Sequence, residues 1–370
     1  GKKAFPMTPQ PAIGVVLHAL GGFAAGSFYS PLKLIRRWSW ESLWLVMGLG
    51  AWLIAPWVAA YWTIPRIIEV LWASPISALF WAAFFGALWG LGNLTFGLSV
   101  RYLGMGLGYA VALGFCMVFG TLIPPLYSGL FGSAADRTKL VNLVVTTPGQ
   151  VVLLGIAVCL AGIALCGWAG MRRERETLGS KEKNTFALGK GFLVATVSGI
   201  LSACFAFGLA AGKPIAETAR HLGAAEIFSN NASLVVILIG GLVSNAAWCL
   251  FLNAKNRTFR DYVCGHALGQ VVNYGLALFA GIVWYLQFFF YGMGTIKLGP
   301  QYDFSSWSIH MAFIIVFSNL WGIVFREWRE TRVFTQILVV TAIVVLIIST
   351  GVIGYGNYLD LLLQKGPLRS

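Results

Sequence analysis

Apolar residues run in long stretches along this chain, separated by short polar links. A helix needs about 20 predominantly apolar residues to cross the hydrocarbon core of a membrane. Ten stretches have about that length, and most contain no charged residue. They lie at roughly 11–31, 42–64, 76–98, 102–126, 149–170, 190–211, 232–252, 272–296, 304–325 and 334–355. The pattern predicts an all-α polytopic membrane protein of about ten transmembrane helices.

The composition excludes most soluble proteins. Of the 370 residues, 58% are hydrophobic and only 11% are charged, whereas a soluble domain carries roughly 25% charged residues. The net charge of +13 could suggest nucleic acid. The basic residues lie in short loops between apolar runs, however, so we expect membrane lipid and no nucleic acid as a partner. The six cysteines form no C-x-x-C motif, which favours buried free thiols over a disulfide framework or a zinc site.

The lysines and arginines predict an orientation. Loops that follow odd-numbered helices hold 16 of the 26 basic residues. Because basic loops stay in the cytoplasm, these loops are expected there and both termini outside. No cleavable signal peptide is visible after the first apolar run. The expected location is the bacterial inner membrane.

An internal repeat divides the chain into two halves. Trp89, Gly97, Leu103 and Gly104 recur 195 residues later as Trp284, Gly292, Leu298 and Gly299. A weaker echo relates Gly22 and Phe28 to Gly199 and Phe205. We therefore predict a five-helix repeat in 1–170, a basic cytoplasmic linker in 171–190 and a second five-helix repeat in 191–370. Since five is odd, the second repeat enters the membrane inverted, which places a substrate site between the halves near the midplane.

The sequence contains no P-loop, no G-x-S-x-G, no H-E-x-x-H and no dinucleotide-binding fingerprint, so neither an enzyme nor a cofactor is expected. Polar groups within the bilayer are costly and mark function. Asp303, at the start of predicted helix 9, shares a helical face with Trp307 and His310. The structural alternative is that Asp303 caps the helix and the aromatic residues pack in the core.

Further candidates lie on single faces of predicted helices 1, 3 and 8. Each combines aromatic rings with amides or an imidazole, and each has a structural alternative in helix packing or a satisfied core histidine. They are His18 and Tyr29, then Trp89 and Asn93, then Asn273, Trp284, Gln287 and Tyr291. Such groups without a charge cluster suit a neutral polyhydroxylated ligand, because hydroxyls need donors and acceptors and a sugar's C–H face packs on a flat ring.

Several motifs together make the chain resemble the L-rhamnose–proton symporter family of the drug/metabolite transporter superfamily. They spread over residues 11 to 330, and the string from Trp284 to Tyr291 is highly specific. The others are Ser27-Phe28-Tyr29-Ser30-Pro31, Trp38-Ser39-Trp40-Glu41, Trp89-Gly90-Leu91-Gly92-Asn93, Arg101-Tyr102-Leu103-Gly104-Met105, Gly120-Thr121-Leu122, Lys213-Pro214, and Gln301-Tyr302-Asp303 with Trp307 and His310; His18 and Asn273 also match.

The resemblance implies ten helices in two inverted halves, uptake of a deoxy-hexose and coupling to protons. Gln287, Asn93 and Asn273 are then expected to bind sugar hydroxyls, and Trp284, Trp307 and Tyr291 to pack against the ring and methyl group. Burial disfavours a charged carboxyl, so Asp303 is the first candidate for the proton carrier, with the imidazole of His310 as the alternative. A sodium-coupled transporter, a carrier of another sugar, and an exporter of the same fold remain open.

Overall fold

The computed structural model describes residues 9–177 and 188–364; several side chains between 97 and 110 are outside this description. Within it, ten helical segments are long and apolar enough to cross a membrane, as the hydropathy pattern predicts. We label them α1 to α10. They are α1 Pro11–Leu32, α2 Trp40–Thr63, α3 Ile76–Phe96, α4 Val111–Phe131, α5 Thr147–Thr177, α6 Gly189–His221, α7 Glu226–Asn256, α8 Ala267–Leu298, α9 Ser305–Val324 and α10 Val333–Gln364.

Some spans contain more than one helix. The pieces are Pro11–Ser27 and Tyr29–Leu32 in α1, Trp40–Gly48, the π-helix Leu49–Ile54 and Ala55–Thr63 in α2, Leu188–Ala211 and Lys213–His221 in α6, and Glu226–Phe228 and Asn230–Asn256 in α7. Three more helices lie between spans, Ile67–Ala73, Ala134–Val145 and Thr258–Tyr262. The helix Ala134–Val145 was not predicted, because it is polar. It begins at a capping box in which Ser133 and Asp136 bond each other's backbone N–H groups.

The spans α3 and α4 belong to one 56-residue helix, Ile76–Phe131. Both of its arms pack against the same turns of α6. Ser198 Oγ donates to the carbonyl oxygen of Gly92 at 3.1 Å, and Ala112 packs against Ala195. Residues 92 and 112 would be about 30 Å apart in a straight helix. The chain therefore bends back between them, in a segment that carries glycine at 97, 104, 106 and 108.

The predicted linker is shorter than the sequence suggests. Helix α5 continues to Thr177, so the first basic residues of 171–190 belong to its last two turns. Arg172 pairs with Glu176 at 3.3 Å, and Arg173 pairs with Glu327 at 3.2 Å. The first pair lies within α5, and the second ties the end of α5 to the segment after α9. The remainder of the linker, 178–187, lies outside the described residues.

Close crossings hold the bundle together at glycines. A β-carbon added at Gly22 or Gly26 of α1 would clash with Phe313 or Phe317 of α9. The spacing Gly22-x-x-x-Gly26, which is typical of close helix packing in membranes, lies at the α1–α9 crossing. Large apolar side chains cover the outside of the bundle, and Tyr61, Trp62 and Trp72 near span ends are mostly exposed. Such rings are typical of the membrane interface.

Candidate functional site

A cavity of about 880 Å³ opens between the ends of α4, α6, α8 and α10 and the starts of α7 and α9. Its inner end is lined by Tyr291 of α8 and Trp307 of α9, both predicted from the sequence, together with Gly120 and Ala206. Both aromatic side chains are less than 6% exposed. The mouth lies on the side of the loops that follow even-numbered helices. The cavity therefore enters the bundle from one side and ends on buried rings.

A column of buried aromatic rings continues from that inner end. Trp307 stacks on Phe205 at 5.6 Å between ring centroids, and Phe205 stacks on Phe288 at 4.2 Å. Phe288 meets Trp284 edge-on at 4.9 Å, and Trp284 stacks on Trp89 at 5.5 Å. The structure thus brings the candidates Trp89, Trp284 and Trp307 into one continuous set of contacts.

Three members of the column were not singled out from the sequence. Phe288 lies inside the specific string 284–291, and Phe205 is the repeat partner of Phe28, so both carried a signal. Trp52 of α2 packs edge-on against Trp284 at 5.5 Å and is almost fully buried. Nothing in its local sequence distinguishes Trp52 from the lipid-facing tryptophans, because only the π-turn at Leu49–Ile54 and the helix crossing decide its direction.

Two buried histidines lie directly behind Tyr291. The centroid of the Tyr291 ring is 5.2 Å from that of His18 and 5.1 Å from that of His310. The two imidazoles are 6.1 Å apart. Both are fully buried, and all four ring nitrogens lack a hydrogen-bond partner among the described residues. Such orphaned polar groups are rare in proteins, and each one calls for an explanation.

The three predicted amides lie in different surroundings. Gln287 is buried, and its Nε2 donates to the backbone oxygen of Trp284 at 2.9 Å. The Nδ2 of Asn93 is buried without a partner among the described residues. Asn273 lies elsewhere, because its Nδ2 donates to the backbone oxygen of Arg36 at 2.9 Å and its Oδ1 accepts from the Arg36 N–H at 3.3 Å. The structure does not bring Asn273 together with the other candidates.

Asp303 lies at the side of the cavity rather than within a helix. Its Oδ2 accepts from Lys213 Nζ at 2.9 Å, and both residues line the cavity. Helix α9 begins at Ser305 without a side-chain cap, so the structural alternative of a capping aspartate is wrong. A proton bound by Asp303 would remove the negative charge that pairs with Lys213. The sequence signal for this partner was the Lys213-Pro214 motif.

Tyr29 is also separate from the cavity. It begins the short helix Tyr29–Leu32 and is 46% exposed. Its ring meets that of Phe28 edge-on at 6.0 Å between centroids, and Phe28 in turn meets Trp284 edge-on at 6.3 Å. Tyr29 thus touches the aromatic column through its neighbour and does not line the described cavity.

The side of the bundle opposite the cavity is closed by polar contacts between two loops. Asp261, after α7, accepts hydrogen bonds from the backbone N–H of Ser39 and from Ser42 Oγ, each at 2.8 Å. Trp38 Nε1 donates to Gln270 Oε1 of α8 at 2.9 Å. The Asn273–Arg36 contact lies in the same layer. These bonds hold the segment after α1 against α7 and α8.

Ten spans around a one-sided cavity with a closed opposite face define a membrane transporter for a small solute. Comparison with known proteins identifies the family. The sequence model described as L-rhamnose-proton symport protein matches residues 7–358. L-rhamnose-proton symporters of Yersinia pestis (strain Pestoides F) and Cronobacter sakazakii (strain ATCC BAA-894) are each 35% identical to the chain, over 349 and 347 residues, which is 93% of this chain and 97% of each relative.

The chain belongs to the L-rhamnose-proton symport family, as the motifs predicted. It is a transporter and not an enzyme. The ten spans and the bacterial relatives make it a multi-pass protein of the bacterial inner membrane.

Proposed function

We propose that this protein takes up L-rhamnose together with protons by alternating access. The observation that carries the proposal is the one-sided cavity that ends on Tyr291 and Trp307, in a chain of this family. Its volume lies in the range of small-molecule sites. Aromatic rings at the inner end suit the C–H face and the methyl group of a 6-deoxy sugar.

The polar groups that line this cavity extend the predicted sugar site. Asn230 and Thr295 line it beside Tyr291, and Asn230 Nδ2 donates to the backbone oxygen of Gly292 at 3.3 Å. An amide and a hydroxyl can both donate and accept, as sugar hydroxyls require. We propose Asn230 and Thr295 as partners of the sugar when it enters. Gln287 and Asn93, further along the aromatic column, are proposed to take over as the sugar moves inward.

We also propose that the two halves are inverted repeats around this site. Contacts between helices recur at equivalent positions. A β-carbon at Gly281 of α8 would overlap the carbonyl oxygen of Met47, and one at its repeat partner Gly86 would overlap that of Ile237. The equivalent tryptophans, Trp89 and Trp284, stack on each other. These paired contacts support a pseudo-twofold axis through the aromatic column.

In this arrangement the cavity faces the periplasm, if the termini lie outside as the charge bias predicts. The Asp261 bonds to Ser39 and Ser42 then form the cytoplasmic gate. Inward opening requires these bonds to break while the halves rock against each other. Asp303, predicted as a proton carrier, lies in the periplasmic cavity with Lys213 in this state.

Purified protein in liposomes tests the proposal. We expect labelled L-rhamnose to accumulate under an inward proton gradient and to stop accumulating when the gradient is collapsed. An excess of unlabelled L-rhamnose should compete, and a different 6-deoxy-hexose such as L-fucose should compete less. Uptake driven by a sodium gradient would refute proton coupling. Export of many unrelated solutes without a sugar preference would refute the sugar assignment.

A further inference from the structure

Glycines of neighbouring helices leave space for the side chains of His18 and His310. A β-carbon at Gly294 of α8 would lie 2.9 Å from His18 Nε2. A β-carbon at Gly21 of α1 would lie 3.3 Å from His310 Cε1. Each imidazole therefore packs over a glycine of a neighbouring helix. A larger residue at 294 would displace His18, and one at 21 would meet the backbone oxygen of Gln287 at 2.9 Å as well as His310. The two rings and Tyr291 form a layer that we call the histidine layer.

The other half of the chain contains the corresponding layer without any histidine. The repeat offset places Ala195 at the position of His18 and Phe96 at that of Tyr291. Gly22 contacts Phe313, and its repeat partner Gly199 contacts Phe115, so Phe115 is the equivalent of Phe313. Three residues earlier on each helix, Ala112 is then the equivalent of His310. Ala112, Ala195 and Phe96 indeed pack together.

Serines take the place of the two glycines in that half. Ser198 corresponds to Gly21 and donates to the Gly92 oxygen at 3.1 Å. Ser99 corresponds to Gly294 and donates to the Phe96 oxygen at 2.7 Å. Alanine and serine thus fill the equivalent positions, and both serine hydroxyls are hydrogen-bonded. The fold does not need two buried imidazoles with orphaned nitrogens, so their presence on one side points to a function.

We propose that His18 and His310 together bind the proton that is transported with the sugar. This inference rests on the proposed function as a proton-coupled symporter. An imidazole in water exchanges its proton near neutral pH; in a buried layer the charged form is disfavoured, so sugar binding has to favour protonation of the pair. A second positive charge 6.1 Å from the first would be repelled strongly in a low-dielectric interior. The pair therefore takes one proton, which comes from periplasmic water and leaves to the cytoplasm.

The surroundings explain how a proton at this pair influences the sugar. Tyr291 contacts both imidazoles and lines the cavity, so a charge behind it changes the inner end where the sugar lies. Sugar binding and protonation then favour each other by the same factor. Sugar affinity should rise as pH falls through the range in which the pair titrates and should reach a plateau below it.

Few other titratable groups face the histidine layer from the helices packed around it. Tyr291 faces it from α8. The thiol of Cys159 on α5 donates to the backbone oxygen of Ser308 at 3.8 Å, and the backbone oxygen of Cys116 on α4 accepts from Trp307 Nε1 at 3.1 Å. The Lys213–Asp303 ion pair lies nearer the cavity mouth, and Asp360 is near the end of α10. Among these groups, only Asp303 was predicted to carry the proton, and the experiment must separate it from the histidines.

The test replaces both histidines by glutamine and compares His18→Gln/His310→Gln with Asp303→Asn. L-rhamnose binding is followed from pH 5.5 to 8.5 by tryptophan fluorescence, and transport by sugar counterflow and by gradient-driven accumulation. We expect wild-type affinity to change at least about tenfold over this range, which corresponds to about 1.4 kcal/mol. The double histidine variant should bind with an affinity independent of pH, retain counterflow and lose accumulation.

Two further variants guard against misfolding. One carries His18→Ala, His310→Ala and Gly294→Ser, in which the new β-carbon at 294 meets only the space left by the His18 ring, and it should fold and bind sugar without pH dependence. The other is Ser99→Ala, a buried polar change in the layer without histidines, which should behave as wild type. Both are compared with wild type in the same binding and accumulation assays.

The outcomes are distinct. Retained pH dependence or accumulation in the double histidine variant would overturn the inference, as would loss of sugar binding itself, which would place the histidines in the sugar site. If Asp303→Asn keeps sugar binding and counterflow but loses accumulation, while the double histidine variant accumulates sugar as wild type does, the proton is assigned to Asp303 instead. Failure of the wild-type protein to bind or exchange L-rhamnose would reject the proposed function rather than the proton site.

Discussion

Alanine substitution at Gly22 or at Gly199 tests whether the two halves contain the same close helix crossing. A β-carbon at Gly22 would lie 2.7 Å from the backbone carbonyl carbon of Phe313, and one at Gly199 would lie 2.6 Å from Phe115 Cβ. Carbon atoms in contact are about 3.5–4.0 Å apart, so each alanine requires its two helices to separate by about 1 Å. Neither backbone can yield by a simple rotamer change.

Overpacking of this kind costs about 1–3 kcal/mol. The two glycines lie in different halves and share no contacting residue, so their costs should add in the double variant. Gly22 is also adjacent to Gly21, over which His310 packs. We therefore expect Gly22→Ala to weaken proton-driven accumulation more than Gly199→Ala does, because only the first separates the helices that carry His18 and His310.

The measurement is thermal inactivation of the purified protein in detergent, followed by size-exclusion recovery at a fixed heating rate. Gly351→Ala is the matched control, because a β-carbon at Gly351 of α10 meets nothing within 4 Å. We expect both single variants to lose recovery at lower temperature than this control, and the double variant at the lowest. If Gly199→Ala is recovered as well as the control while Gly22→Ala is impaired, the two halves do not share the same close helix crossing.

Three further predictions concern the site and the topology. Gln287→Ala should weaken L-rhamnose binding roughly ten- to a hundredfold, since an unpaired buried partner costs about 1–3 kcal/mol; unchanged affinity in isothermal titration would restrict Gln287 to helix packing. Asp303→Asn should change the free energy of unfolding by less than about 1 kcal/mol, because the ion pair with Lys213 is partly exposed. If Asp303 acts only through this ion pair, the exchange variant Lys213→Asp/Asp303→Lys should transport L-rhamnose where Asp303→Asn does not. An impermeant maleimide should label Ala135→Cys in intact cells and the exposed native Cys264 only after permeabilisation, and the reverse would contradict the predicted orientation.

Local patterns determined the helices and the contents of the site. The ten spans follow from runs of apolar residues, because a backbone in lipid must satisfy its own hydrogen bonds within each helix. The number of spans could be predicted without knowing which helices contact each other. Three tryptophans of the aromatic column were also candidates from the sequence, since Trp89, Trp284 and Trp307 share their helical faces with polar residues that lipid would exclude, whereas Phe205, Phe288 and Trp52 were not.

Contacts between distant segments could not be derived from these patterns. Lys213 and Asp303 are 90 residues apart, and each alone resembles an ordinary charge at a helix end. Asn273 shares a helical face with Trp284, yet its partner is the backbone of Arg36 in another loop. Asn273 lies several turns along the helix axis from the cavity. The face on which a residue lies does not indicate its position along that axis.

The histidine layer shows most clearly what the tertiary structure decided. From the sequence, His18 was a candidate for sugar binding and His310 an alternative proton carrier, in helices far apart in the chain. Only the crossings of α1, α8 and α9 place both rings against Tyr291. Those crossings depend on glycines whose neighbours lie in other helices. Hydrophobic periodicity is local and marks the buried face of each helix, whereas the partners across that face depend on how all ten helices pack.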